Sequence, residues 1–154
     1  MGQQSCRGMK WKLTMPEEIK GQCLCGAVQV QAILSKPMLR ACHCDMCRQH
    51  TSGAFFSIAA DPDSIVVEGP TRSYRSSEWA ERGFCPNCGS TLWYGTVHDG
   101  ARNLSAGLFQ NAGGAPLKLE FFVDKCPQGY ALAGDQKKLT SQETIALFSG
   151  GADG

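Results

Sequence analysis

The sequence has no long apolar run and almost no net charge. Its 15 Lys and Arg residues nearly balance its 14 Asp and Glu residues, which leaves a formal net charge of +1 over 154 residues. Binding nucleic acid by bulk electrostatics needs a strongly basic surface, which this balance does not supply. No apolar segment approaches the roughly 20 residues of a membrane-spanning helix. We therefore predict neither nucleic acid nor membrane as a partner.

Targeting signals and internal subdivisions are also lacking. The N-terminus is polar and basic, without the apolar stretch of a secretory signal, so we expect a cytoplasmic protein. We find no repeat, no low-complexity tract and no linker. Residues 1–18 are predicted to form an N-terminal lead-in, and residues 19–150 a single domain. That length is enough to bury a hydrophobic core.

Cysteine, by contrast, is abundant. Seven of the nine cysteines fall into three tight groups: Cys23 and Cys25; Cys42, Cys44 and Cys47; Cys85 and Cys88. Cysteines this close in sequence can share a metal ion, but they rarely satisfy disulfide geometry. Without an export signal, such density is typical of metal ligands. Because all-thiolate sites select zinc or iron–sulfur clusters, we predict zinc.

The groups divide most simply into one closed and one open zinc site. The closed site, here called the four-cysteine cluster, contains Cys23, Cys25, Cys85 and Cys88. It would complete a tetrahedron and stabilise the fold. The open site, the three-cysteine cluster, contains Cys42, Cys44 and Cys47. Its free coordination position would accept a substrate thiol and promote loss of the thiol proton. His43 lies between two ligands, so its side chain is expected to point away from the ion.

Spacing alone leaves a rival pairing open. Cys44 and Cys47 with Cys85 and Cys88 would form a zinc ribbon, which would leave the other three grouped cysteines unexplained. The gap between these pairs exceeds the roughly 15–20 residues usual for a ribbon. We therefore favour the division into four and three. The remaining two cysteines, Cys6 and Cys126, are interpreted as ordinary thiols.

Most of the chain is predicted to form strands. Val28, Val30 and Ala32 alternate with glutamines, as in a half-buried strand. Turn-forming residues bound further predicted strands at 54–59, 64–68, 71–76, 91–94, 103–106 and 119–123. Thr140 and Glu143 form a capping box before a short C-terminal helix that should end at Gly150. Residues 45–50 are predicted to form a short helical turn. The fold class is therefore mainly β.

The cysteines and their neighbours form an ordered set of motifs. The set reads Gly21-x-Cys23-x-Cys25-Gly26-x-Val28, Cys42-His43-Cys44-x-x-Cys47-Arg48, Tyr74-x-Ser76-Ser77 and Arg82-x-Phe84-Cys85-x-x-Cys88-Gly89-Ser90-x-Leu92. This set resembles the glutathione-dependent formaldehyde-activating enzyme family, which includes centromere protein V-like members. The resemblance implies the β-tent fold and two Zn²⁺ ions per chain. In this family the four-cysteine cluster holds the structural ion and the three-cysteine cluster the catalytic ion.

The resemblance also implies a reaction and its partners. Glutathione, a small thiol, condenses with formaldehyde, a small aldehyde, to S-hydroxymethylglutathione, and the reverse reaction is that of a carbon–sulfur lyase. Because guanidinium groups match carboxylates, Arg48 and Arg82 are expected to bind glutathione, with Arg72 and Arg75 as further candidates. Ser76, Ser77 and Ser90 are assigned to turns, and Phe55, Phe56, Trp79 and Trp93 to the core.

Two other functions fit the same cysteines. A non-catalytic zinc module would bind a thiol metabolite or a protein partner, with a protein side chain completing the second zinc site. A redox or metal sensor would lose zinc from the three-cysteine cluster and oxidise. The chain also departs from the family at residues 125–130, where many relatives carry a Trp beside the proline. This departure leaves the identity of the substrate open.

Overall fold

The computed structural model describes residues 16–150, and every structural statement below refers to this range. Its strands are β1 Glu17–Gln22, β2 Gln29–Leu34, β3 Leu39–Cys42, β4 Phe55–Ile58, β5 Val66–Glu68, β6 Arg72–Arg75, β7 Ala80–Phe84, β8 Thr91–Thr96, β9 Arg102–Ser105, β10 Leu117–Phe121 and β11 Lys137–Lys138. The α-helices are α1 Asp45–Thr51 and α2 Ser141–Gly150, and short 3-10 turns join several of the strands. The predicted mainly β fold with a short C-terminal helix is confirmed. Over this range, no helix combines the length and apolarity needed to cross a membrane.

Two sheets enclose one hydrophobic core. The smaller sheet has the order β1-β2-β5, and the larger one the order β11-β10-β3-β4-β9-β8-β7-β6. The predicted alternation is confirmed, because Val28, Val30 and Ala32 are buried, although β2 itself begins at Gln29. They pack in one cluster with residues of the larger sheet that include Ile58 and Leu104. Burial of this apolar surface, at about 25 cal/mol per Å², holds the sheets together.

Each of the six segments predicted by number overlaps a strand, but β1, β3, β7 and β11 were not predicted. Of these, β3 and β7 carry residue types that are depleted in strands, Ala41 in β3 and Gly83 in β7. Packing explains Gly83, because a Cβ atom there would lie 2.2 Å from the ring of Trp93. Tertiary contacts therefore override local propensity in both strands. The prediction that Trp79 belongs to the core is wrong, since its side chain is 57% exposed.

The capping box at α2 is confirmed. The Thr140 N–H donates to Glu143 Oε2 at 2.8 Å, and the Glu143 N–H donates to Thr140 Oγ1 at 3.2 Å. The helix contacts the end of β10 through the rings of Phe148 and Phe121, whose centroids are 5.5 Å apart. The helical turn predicted at residues 45–50 is also confirmed, as α1.

The cysteine groups lie where strands end. Cys23 and Cys25 follow β1 of the smaller sheet, and Cys85 follows β7 of the larger sheet. Their approach therefore connects the two sheets. Cys42 is the last residue of β3, and the turn after it leads directly into α1.

Candidate metal centres and an adjoining cavity

The four-cysteine cluster has the dimensions of a tetrahedral zinc site. All four sulfur atoms lie within 4.8 Å of one another. The Sγ–Sγ distances are 3.6 Å between Cys23 and Cys25 and 3.8 Å between Cys25 and Cys85. A zinc ion with Zn–S bonds of about 2.3 Å in tetrahedral geometry requires sulfur atoms about 3.8 Å apart. These four residues therefore fit a closed zinc site.

Two turns, each followed by a glycine with positive φ, present the four ligands. Gly26 and Gly89 each follow a ligand pair, and both have φ of +78°, a conformation that glycine adopts without strain. The Gly26 N–H donates to the carbonyl of Cys23 at 3.0 Å, and the Gly89 N–H donates to that of Cys85 at 2.8 Å. The glycines noted in the sequence thus allow each turn to close on its ligand pair.

Ser90 is not a ligand itself, but it contacts Cys88 of the pair Cys85 and Cys88. Its Oγ lies 3.2 Å from Cys88 Sγ and also accepts a hydrogen bond of 2.9 Å from the Leu24 N–H. The hydrogen bond from Ser90 lowers the pKa of the Cys88 thiol to about 5. Ser90 therefore favours the thiolate that binds metal, a role beyond the turn residue expected from the sequence.

The three-cysteine cluster is formed by the start of α1 and the end of β3. Its sulfur atoms lie within 4.8 Å of one another, and no fourth His, Cys, Asp or Glu of residues 16–150 joins them. Cys44 is the N-cap of α1, and its Sγ accepts the Cys47 N–H at 3.4 Å. Hydrogen bonds from the neighbouring Cys42 and Cys47 thiols lower the pKa of Cys44 to about 2. The same crowding raises the pKa of Cys42. The donor set fits a zinc ion with one open position.

The separation of the clusters excludes the zinc-ribbon pairing in this structure. Cys44 and Cys47 lie with Cys42, whereas Cys85 and Cys88 lie with Cys23 and Cys25. The eight cysteines of residues 16–150 form no disulfide. Of the two left over, Cys126 lies outside both clusters, and Cys6 lies outside the described residues.

His43 points away from the three-cysteine cluster, as the sequence predicted. The ring is fully buried, and its Nε2 lies 2.8 Å from Glu120 Oε1 on β10. The other carboxylate oxygen of Glu120 accepts a hydrogen bond of 2.6 Å from Gln136 Nε2. All three side chains are buried. This chain of contacts fixes the turn between Cys42 and Cys44 against the sheet.

Arg82 occupies a different position from the one expected. It was predicted to line a substrate groove, yet it is only 3% exposed. Its Nη1 donates to Cys47 Sγ at 3.6 Å, and its Nε donates to Ser76 Oγ at 3.3 Å. The guanidinium also lies 5.2 Å from the ring centroid of Tyr94. A buried cation needs a partner of opposite charge, and the nearby thiol group supplies it when ionised.

The other candidate arginines differ in position: Arg48 is hydrogen-bonded within the segment of the three-cysteine cluster, whereas Arg72 and Arg75 lie on a separate strand. Arg48 Nε donates to the His43 carbonyl at 3.1 Å, and its guanidinium pairs with Asp45. Its position beside the three-cysteine cluster keeps it a candidate for carboxylate binding. Arg72 and Arg75 lie on the exposed edge strand β6. None of these three arginines lines the cavity described next.

A cavity of about 720 Å³ lies beside α1. The last residues of α1, the start of β4 and the turns of the four-cysteine cluster line it, but no residue of the three-cysteine cluster does. Phe55 and Phe56, predicted as core, form part of its wall. Trp93 is buried as predicted.

His50 also lines this cavity, although it was not predicted from the sequence as a site residue. His50 follows Cys47 by three residues, so both lie on the same side of α1, and this spacing was the available signal. Its Nε2 lies 3.2 Å from Thr91 Oγ1. Burial, and then the positive charge of Arg82, lower the pKa of His50 below its usual value. The imidazole is therefore neutral at pH 7.

Comparisons with known proteins give a matching family profile, a related sequence and a similar fold. The sequence profile described as "Glutathione-dependent formaldehyde-activating enzyme" matches residues 18–125. A Schizosaccharomyces pombe protein named an uncharacterized lyase is 33% identical over 135 residues, covering 85% of this chain and 96% of that protein. A crystal structure of a Rhodobacter sphaeroides protein aligns with a TM-score of 0.51 at 20% identity, over 65% of this chain and 100% of that chain. The last likeness supports the fold alone.

Proposed function

Because the chain belongs to the glutathione-dependent formaldehyde-activating enzyme family, we propose that it is a zinc-dependent carbon–sulfur lyase. In the condensing direction it joins a thiol, glutathione or a related molecule, to formaldehyde or a similar small aldehyde. The observation that carries this proposal is the division of seven cysteines into a complete and an incomplete ligand set. A complete set holds a fold, whereas an incomplete set leaves a position for substrate.

The two clusters would hold one Zn²⁺ each. Cys23, Cys25, Cys85 and Cys88 would bind the structural ion, and Cys42, Cys44 and Cys47 the catalytic one. When bound, the second ion would supply Lewis acidity that lowers the pKa of a substrate thiol. Both sites need reduced cysteines, and we place the enzyme in a reducing compartment such as the cytoplasm.

The chain's own residues would position the reacting groups. The contact of Arg82 with Cys47 would offset the negative charge of the thiolates. The His43–Glu120 contact would hold the Cys42–Cys44 turn rigid. During condensation the thiol loses its proton, the sulfur forms a bond to the carbonyl carbon, and the carbonyl π bond breaks. The proton ends on the former carbonyl oxygen, so no oxidant or reductant is needed.

One observation favours the non-catalytic alternative. The cavity of about 720 Å³ is not lined by the three-cysteine cluster. A zinc module that binds a metabolite in this cavity would need no chemistry at the open site. The two functions differ in whether the protein accelerates thiol addition.

The rate of thiol addition to formaldehyde, with and without the protein, distinguishes the two functions. Exchange between formaldehyde and S-hydroxymethylglutathione can be measured by NMR exchange spectroscopy with the zinc-loaded protein. If the protein is a lyase, exchange should be faster with the protein than in buffer alone, and elemental analysis should find two zinc ions per chain. If neither glutathione nor other small thiols react faster than in buffer, the non-catalytic alternative stands.

Replacing Arg82 should weaken metal binding at the three-cysteine cluster alone. In Arg82→Met the thiolate of Cys47 loses its buried counter-charge. Removing a residue that contacts a metal ligand typically lowers metal affinity about 10–100-fold, and we expect a loss of about that size. Competition with a chromophoric chelator should then show earlier release of one zinc ion and unchanged release of the other. Arg82→Lys keeps the charge and should recover part of the affinity, whereas equal release from all three proteins would contradict the role.

A further inference from the structure

The cavity of about 720 Å³ is lined by residues that neighbour both cysteine clusters in the sequence. Leu24, which separates Cys23 from Cys25, and Ser90 belong to one wall. The hydrogen bond from the Leu24 N–H to Ser90 Oγ joins the two turns of that wall. The end of α1, whose beginning carries Cys44 and Cys47, also lines the cavity. Segments that carry both clusters therefore contribute to the lining, although no cysteine does.

The residues that line the cavity are polar or apolar but carry no formal charge at pH 7. Among the described residues that line the cavity there is no Asp, Glu, Lys or Arg. Its polar groups are amides and hydroxyls, including those of Gln22, Gln49 and Ser105. The single imidazole, His50, is neutral at pH 7 because burial and the charge of Arg82 lower its pKa. Hydrogen-bonding groups are therefore plentiful, while groups that could pair with a carboxylate are lacking.

From this lining we propose that the cavity is a binding site for an uncharged ligand that carries amide or hydroxyl groups. Amide and hydroxyl groups of such a ligand would exchange hydrogen bonds with the glutamine and serine side chains, while its apolar parts contact Leu24 and Phe56. A carboxylate would lose part of its hydration without gaining a cation, which is costly. The volume lies within the roughly 300–1,000 Å³ typical of ligand sites.

This inference does not rest on the proposed function, because no residue of the three-cysteine cluster, where the thiol would react, lines the cavity. The binding preference itself does not depend on catalysis, so the two claims can fail separately.

A matched ligand pair tests the preference. N-acetyl-S-methylcysteine methylamide is uncharged, and N-acetyl-S-methylcysteine is an anion of almost the same shape. The S-methyl group blocks the thiol, so neither compound requires the open metal position. Titration calorimetry with the zinc-loaded full chain should show the amide binding at least about tenfold more tightly, as expected for an uncompensated carboxylate. Amide NMR shifts should centre on His50, Ser52 and Leu24.

A charge variant supplies the control. Gln49→Lys places a cation on the cavity wall and should reverse the preference, whereas Gln128→Lys makes the same change at an exposed site outside the lining. Equal binding of both compounds, tighter binding of the anion by the wild type, or no binding of either would overturn the proposal. None of these results would affect the exchange experiment that tests the lyase function.

Discussion

Replacing Cys85 with serine is expected to unfold the protein. Cys85 is fully buried, and its sulfur lies 3.8 Å from that of Cys25, a residue 60 positions away. A serine hydroxyl does not ionise at neutral pH and is not a zinc ligand of comparable strength. Zinc bound to a structural site contributes on the order of 10 kcal/mol of folding free energy. A domain is typically stable by only about 5–15 kcal/mol, so the loss is comparable with the whole.

Circular dichroism and zinc analysis would measure this effect. Cys85→Ser should lose its cooperative thermal transition and its structural zinc. Cys126→Ser is the matched control, because Cys126 lies outside both clusters. Its stability should stay within about 0.5 kcal/mol of the wild type, as for most substitutions away from critical contacts. A Cys85→Ser protein that melts with the wild type and keeps two zinc ions would show that this cluster does not anchor the fold.

The cysteine clusters could be predicted from the sequence because their ligands are local. Each pair or triplet lies within six residues, in a turn that the spacing itself defines. Spacing alone did not show that Cys23 and Cys25 share a site with Cys85 and Cys88, which lie about 60 residues away. That combination was favoured because Cys42, Cys44 and Cys47 form one local group, which leaves the two pairs to complete a four-ligand site. The glycines after each pair gave a further local signal, since both adopt positive φ.

Contacts between distant residues could not be predicted in this way. Arg82 on β7 contacts Cys47 on α1 across 35 residues, and this contact forms only when the strand and the helix meet in the fold. Its charge suggested a surface role, but its burial is a tertiary property. The cavity is similar, because residues from α1, β4 and the cluster turns meet there only after folding. The exposure of Trp79 likewise follows from its place at the end of the edge hairpin, before β7.

Replacing Cys44 with serine should abolish catalysis while preserving the fold. Cys44 is the N-cap of α1, where its sulfur accepts the Cys47 N–H. Serine is among the preferred N-cap residues, so the hydroxyl can replace this helix contact. The substitution therefore removes a metal ligand without removing the start of the helix. Loss of a residue that merely contacts a metal ligand can lower activity up to about 100-fold, and loss of a ligand itself should lower it further.

The two cysteine substitutions should therefore separate structure from activity. Cys44→Ser should keep a thermal transition close to that of the wild type, retain one zinc ion instead of two, and exchange formaldehyde with S-hydroxymethylglutathione no faster than buffer. Cys126→Ser should leave all three properties unchanged. Because only the three-cysteine cluster is incomplete, full acceleration by Cys44→Ser with a single bound zinc would place the chemistry elsewhere. Unfolding of Cys44→Ser would instead show that this cluster, too, is needed for the fold.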